Sequence, residues 1–258
     1  MNDPVLTRQH GHILEIALNR PEAYNALNLD LMKMLGGILS SAAADEAIKG
    51  IFITGKGKAF CSGGDLKWID QQTEDAGSVL YKLAPEFHLS ITEIHRMEKP
   101  VVAAINGIAA GGGFSLALAC DFRVMAQSAT LRQAYSSSGL SIDGGGSFAL
   151  PRLVGLARAM EIMAFDNPIS SAQALEWGLV TKVVPKGEVV PEVLAMLHTL
   201  TQGALHSFAW SKKLMTDSFN NTLETQLELE RQGISDCAAH PNGQEGIRAF
   251  VEKRKPSF

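Results

Sequence analysis

The feature that most constrains this chain is the twenty-residue run Val101 to Cys120, apolar and uncharged, yet broken by Asn106-Gly107 and by the triplet Gly111-Gly112-Gly113. A lipid-exposed helix would not interrupt itself in this way, because backbone groups freed by such breaks find no partner in hydrocarbon. Asp121 follows at once. The run therefore reads as a buried strand, a tight turn and a buried helix.

The same arrangement recurs along the chain. Val5 to Gln9, a His10-Gly11-His12 turn and the alternating start of Ile13 to Leu18 predict a hairpin. Asn28 can cap a helix whose apolar face uses Leu31, Leu35, Ile38, Leu39 and Ala42. A short buried strand follows at Ile51 to Thr54, and residues 78 to 98 read as helix before the strand Val101 to Ile105. Asp121 to Ala126 returns as a strand after the glycine triplet and its helix. Strand, glycine turn and helix in alternation predict an α/β fold with sheets covered by helices. From about Gly187 the glycines thin out and long amphipathic patterns take over, notably Thr222 to Cys237. We place a core over residues 1–200 and a helical region of the same domain over 201–258, packed on the core or on a neighbouring subunit.

Composition narrows the function. Of 258 residues 46% are hydrophobic and 19% charged, enough apolar material for a thick core. The net charge of -4, with Lys253-Arg254-Lys255 as its one basic cluster, argues against nucleic acid or an anionic membrane as partner. Cys61, Cys120 and Cys237 lie far apart without CxxC or histidines at ligand spacing, so no disulfide framework or metal site is indicated and a reducing cytoplasm is expected. Met1-Asn2-Asp3-Pro4 lacks the basic start and apolar run of a secretory signal. The seven histidines show no metal or nucleophilic spacing and take ordinary structural roles in this reading.

Three glycine-rich turns carry the chemistry that can be discerned: Cys61-Ser62-Gly63-Gly64-Asp65, Ala110 to Gly113, and Asp143-Gly144-Gly145-Gly146. Neither GxGxxG nor GxxxxGK[ST] is present, so a dinucleotide or P-loop site has little support. Glycine also lets a backbone N–H approach an oxygen that a side chain would obstruct. Two such amides, one at a helix N-terminus, form an oxyanion hole. Plain close packing or positive φ accounts equally well for any one of these glycines. Composition and spacing leave that choice open.

The wording of the turns goes further. Leu18 to Leu27 (LNRPEAYNAL), Gly57 to Leu66 (GKAFCSGGDL), Lys99 to Gly113 and the ending Gly246 to Pro256 occur in an order that resembles the crotonase, or enoyl-CoA hydratase/isomerase, superfamily across essentially the whole chain. The resemblance implies a spiral of strand-strand-helix units with a C-terminal helical region for trimerisation. It also implies a homotrimer or homohexamer, and an acyl-CoA thioester as substrate. No cofactor is implied beyond the coenzyme A that the substrate itself carries. By the same resemblance Gly64 and Gly112 supply the oxyanion amides. Backbone groups of Ser62 and Leu66, in the turn with Gly63 and Asp65, contact adenine. Ala23 and Lys253 lie near the CoA phosphates and pantetheine. Asp65 reads more readily as a tie for its turn than as a reactive group.

Hydratases of this family use two glutamates, and their places here hold Ser115 and Tyr135. Neither takes a proton from water near neutral pH as a carboxylate does. A carboxylate stands instead at Asp143, in a stretch similar to the family branch that isomerises unsaturated or epoxidised acyl-CoA, including the 1,2-epoxyphenylacetyl-CoA isomerase type. Taken by itself the segment suits Asp143 as a helix cap. The missing glutamates and the oxyanion motifs favour it as the proton carrier. We expect an apolar wall of Leu140, Ile142, Phe148 and Trp68 to raise its pKa, and Tyr135, Leu140 and Trp68 to line the acyl pocket. The readings are therefore an enoyl-CoA isomerase, a hydratase or other enolate enzyme, and a non-catalytic acyl-CoA binder.

Overall fold

The computed structural model describes residues 3–258. The hairpin forms as the alternation predicts, from β1 (Val5–His10) and β2 (Ile13–Leu18), paired from Val5 against Leu18 to His10 against Ile13. The chain then runs through α1 (Leu29–Ala44), β3 (Gly50–Gly55), β4 (Ala59–Cys61), α2 (Leu66–Asp70) and α3 (Ala76–Arg96). Next come β5 (Val101–Ile105), β6 (Ile108–Ala110), α4 (Gly112–Ala119), β7 (Phe122–Ala126) and β8 (Thr130–Arg132). The last part holds α5 (Gly146–Phe165), β9 (Ile169–Ser170), α6 (Ser171–Glu176), β10 (Lys182–Val184), α7 (Val189–Thr201), α8 (Leu205–Asp217), α9 (Leu223–Ala239) and α10 (Pro241–Val251).

The strands divide between two sheets with a simple logic. A six-stranded sheet has the order β1-β2-β3-β5-β7-β10, and a four-stranded sheet has the order β4-β6-β8-β9. In each of the pairs β3/β4, β5/β6 and β7/β8 the first strand joins the large sheet and the second the small one. Successive turns of the spiral therefore stack in parallel register. The central strands are continuous apolar runs because helices or the second sheet cover both faces. Ile51, Phe52 and Ile53, and all of Val101–Ile105, are fully buried. The apolar run Val101 to Cys120 forms β5, β6 and α4, every residue of α4 being buried.

Local signals explain most element ends. The Asn28 carboxamide accepts from the Leu31 amide at 3.1 Å and starts α1. Asp75 caps α3 and Thr222 caps α9 through their side chains. α7 packs on β3, β5 and β7. α8 to α10 hold few buried residues, and α8 is tied to the core by the Lys212 ammonium. That group sits 2.9 Å from the Asp121 carboxylate and 2.8 Å from the Ile94 carbonyl.

Candidate active site

The first site element is built by an interlock of two sequence motifs. Asn25, fully buried, donates through its amide nitrogen to the carbonyls of Lys56, Ala59 and Phe60, and its oxygen accepts from the Arg20 amide. This binds the first motif to β4. Two residues on, Leu27 forms a parallel bridge opposite Gly64: its N–H donates to the Gly63 carbonyl at 2.7 Å and its carbonyl accepts from the Asp65 amide at 2.9 Å. In that pairing Leu27 engages the residues on either side of Gly64. The Gly64 N–H is left aimed the other way, with no partner among the described residues. A side chain at Gly64 would project into open space.

Asp65 does the structural work expected of it. One carboxylate oxygen accepts from the Trp68 amide at 3.0 Å and caps α2; the other meets the Arg20 guanidinium at 2.8 Å. Cys61, beside this turn, is no nucleophile, since burial pushes its thiol up to about 12.

The second element abuts the first. Gly63 takes φ +97, and a Cβ there would lie 3.0 Å from the Ala110 carbonyl and 3.2 Å from the Gly112 amide nitrogen, so only glycine fits. Gly112 is the first residue of α4, where helix geometry leaves the N–H without an internal partner and the dipole contributes positive potential. The Gly111 amide donates to Arg132 on β8, but that of Gly112 has no partner among the described residues.

The third element is the turn that carries Asp143. Gly144, at φ +60, is packed so closely on Phe87 that an added Cβ would collide with the ring. The same ring faces Gly112, where a Cβ would come within 3.5 Å. One aromatic side chain thus spaces the Asp143 turn from the Gly112 turn. The Ser115 hydroxyl, one helical turn beyond Gly112, donates to the Asp143 carbonyl at 2.7 Å, and the Tyr135 hydroxyl donates to it at 3.3 Å. Burial pushes the Tyr135 phenol up to about 12, so it remains a neutral donor.

All three elements border one cavity of about 450 Å³, lined by Gly64, Gly112, Tyr135 and Asp143 and closed on one side by apolar residues of α3 such as Leu83 and Phe87. Leu27, Ser62, Gly63, Leu66 and Leu140 also line it. Ala23 lies behind it, its carbonyl 3.5 Å from the Ser62 hydroxyl. Trp68 and Lys253 do not line it: Trp68 packs against the core, and Lys253 is exposed beyond α10.

The capping role weighed for Asp143, and set aside in favour of proton transfer, is absent from the structure: Gly145 occupies the cap of α5 and the Asp143 side chain accepts nothing from that helix. Nor does an apolar wall of Leu140, Ile142, Phe148 and Trp68 enclose it. The carboxylate is 42% exposed and lies 2.6 Å from Nε2 of His88, itself 50% exposed. His88, expected to take an ordinary structural role, is thus the side chain that meets the candidate proton carrier. Fifty-five residues separate the pair, and no local pattern links α3 to this turn.

The architecture is the crotonase-like α/β fold: two mixed sheets, C-terminal helices, and a cavity where the spiral turns meet. A crystal structure of an enoyl-CoA hydratase from Polaromonas sp. JS666 superposes with a TM-score of 0.93 at 38% identity, covering 98% of both chains. The family model for enoyl-CoA hydratase/isomerase matches residues 8–258, and the chain belongs to that family. It is therefore an acyl-CoA enzyme by class. It is similar to a 1,2-epoxyphenylacetyl-CoA isomerase of Escherichia coli (32% identical, covering 100% of this chain and 99% of the relative). It is also similar to a probable enoyl-CoA hydratase of Rhodobacter capsulatus (37% identical, covering 94% and 93%).

Proposed function

We propose that the protein is an enoyl-CoA isomerase that moves a double bond by proton transfer through Asp143. The observation that carries this reading is the pairing of Asp143 with Gly64 and Gly112 around one cavity, while the family's two glutamate places hold Ser115 and Tyr135. Both of those hydroxyls are turned to the Asp143 carbonyl.

In this mechanism the thioester oxygen accepts from the Gly64 and Gly112 amides. Each well-placed donor stabilises the developing enolate by about 3 kcal/mol. Asp143 removes a proton at one carbon, and the C–H pair moves into a dienolate. The proton returns at the far carbon of the original double bond, whose π pair forms the new C–H bond while the displaced pair remains as the shifted double bond. A free aspartate, with a reference pKa of ~3.9, is a weak base for this step. Binding of the acyl group against α3 displaces water from the carboxylate and strengthens it. Backbone groups of Ser62 and Leu66 are proposed to hold the adenine, and Ala23 and Lys253 to approach the rest of CoA.

The test is product analysis on a panel of aliphatic and aromatic enoyl-CoA thioesters. Isomerisation leaves the mass unchanged, and Asp143→Asn is expected to slow it by about 10²-fold to 10⁴-fold; an Asp143→Asn enzyme with full activity would end the reading. One observation favours a second reading, hydration: the His88–Asp143 pair stands open to water and joins an imidazole to a carboxylate. Hydration is recognised by the added mass of water. Thermal stabilisation by acyl-CoA without turnover would instead mark a binding protein.

We further propose a homotrimer or homohexamer assembled through the C-terminal helices. Their outer faces carry Met215, Leu223, Ile234, Phe250 and Val251, all exposed in the single chain. Light scattering after size exclusion tests it, and a monomer at micromolar concentration would refute it.

A further inference from the structure

The His88–Asp143 contact joins a carboxylate that borders the cavity to an imidazole that does not line it. Both side chains are about half exposed, and the 2.6 Å separation is that of a charge-assisted hydrogen bond. His88 sits on α3 next to Phe87, the residue that spaces the Asp143 turn from Gly112, so a rigid helix fixes it relative to the reacting end of the cavity. No other acidic or basic side chain forms a hydrogen bond or ion pair with the Asp143 carboxylate among the described residues.

We propose that His88 is a relay residue: it acts through Asp143 and connects the proton taken from substrate with bulk water. This rests on the isomerase reading above. Asp143 removes a substrate proton, leaving the C–H electron pair in the enolate, and becomes a neutral carboxyl group. Once Asp143 is neutral, the half-exposed imidazole of His88 releases its Nε2 proton to water and takes one at Nδ1. Asp143 passes the substrate proton to the freed Nε2, giving a carboxylate and an imidazolium. The imidazolium, half in solvent, exchanges its N–H protons with water and returns one to Asp143. Asp143 delivers this proton to the second carbon, where the π pair of the original double bond forms the new C–H bond and the pair left by the substrate proton becomes the shifted double bond. Nothing is oxidised or reduced. The net change is that a water proton replaces a substrate proton in the product.

A carboxylate sealed in an apolar pocket, as the sequence suggested, would return the proton it had taken. The open pair separates these two behaviours. A structural role for His88 would change stability or rate but leave the origin of the proton unaltered.

The experiment runs the full-length enzyme in deuterated water with 3-enoyl-CoA thioesters and reads deuterium per molecule of isomerised product by mass spectrometry at low conversion. The wild type is expected to incorporate solvent deuterium. His88→Gln keeps a donor toward Asp143, and it is expected to retain the melting temperature and part of the turnover while deuterium per turnover falls several-fold. Equal incorporation in His88→Gln and wild type would overturn the relay, because water would then reach Asp143 directly. Isomerisation by the wild type without incorporation would also overturn it while leaving the isomerase reading intact. Absence of any isomerised product removes both, and a product heavier by water identifies hydration as the cause.

Discussion

The two walls of the cavity are made by opposite means. The wall that holds Gly64 and Gly112 is backbone, pinned by Leu27, Asn25 and the close contact of Gly63 with the Ala110 carbonyl, and surrounded by fully buried residues. The wall that holds Asp143 is side chain, half exposed, met by His88 from outside the cavity and anchored through one carbonyl by Ser115 and Tyr135. Fixed dipoles stabilise charge best when nothing has to reorganise, so they belong in a rigid, dry lattice. A group that must gain and lose a proton needs a proton partner within reach, here His88 at 2.6 Å, and is strengthened as a base when the acyl group displaces its water. The division of labour proposed for this site follows from that contrast.

Substitutions on the two walls test the contrast, in descending size of effect. Gly113→Ala would drive a Cβ into the Cys61 carbonyl and is expected to yield no folded protein, read as loss of soluble expression or of a cooperative melt. Asp143→Asn, on the exposed wall, should fold normally and lose about 10²-fold to 10⁴-fold in kcat, the range for a general acid–base group. Gly112→Ala meets side-chain atoms rather than backbone, the end of Leu27 at 2.9 Å and the Phe87 ring at 3.5 Å, so it should fold, but crowding of one oxyanion donor should lower kcat by about 10²-fold. If Gly112→Ala instead behaves like Gly113→Ala, the amide wall is structural and the comparison breaks. Ser115→Ala and Tyr135→Phe each remove one hydrogen bond to the Asp143 carbonyl, worth about 1 kcal/mol, and should lower kcat several-fold with little change in KM.

A smaller effect concerns the junction of core and C-terminal helices. Burial and the nearby Lys212 ammonium hold the His95 pKa below its ordinary 6.5. The unfolded chain then binds a proton more readily than the native one, so the native state is unaffected above pH ~6.5 and loses stability as pH falls below it. His95→Gln should flatten that part of the melting-temperature profile. An unchanged profile would show that His95 does not couple the two regions.

Much of this was legible from residues. The apolar run with two glycine breaks specified β5 and α4, though the segment read as a tight turn holds the short strand β6; Asn28 marked the start of α1, and Thr222 the start of α9. The family resemblance picked out Gly64, Gly112 and Asp143, which the fold gathers at one cavity. The environment of Asp143 was not legible, because it depends on α3 meeting a turn 55 residues away. Leu140 does line the cavity, yet the Asp143 carboxylate is left part-exposed and in contact with His88, and a list of nearby apolar residues carries no direction. Trp68 differs for a related reason: on a helix, positions two apart are roughly 200° around the axis, and Leu66 takes the cavity while Trp68 packs against the core. The clamp made by Ser115 and Tyr135 was likewise hidden, since its acceptor is a carbonyl that every residue has.

The central claim is that one thioester oxygen meets both glycine amides while Asp143 faces the carbon that loses its proton. A crystal structure of Asp143→Asn with an intact enoyl-CoA tests it directly. The account predicts the thioester oxygen at about 2.7–3.1 Å from the nitrogens of both Gly64 and Gly112, with the carboxamide that replaces the Asp143 carboxylate set against the carbons flanking the double bond. A thioester carbonyl bound away from either amide, or an acyl chain directed away from that carboxamide, would contradict it.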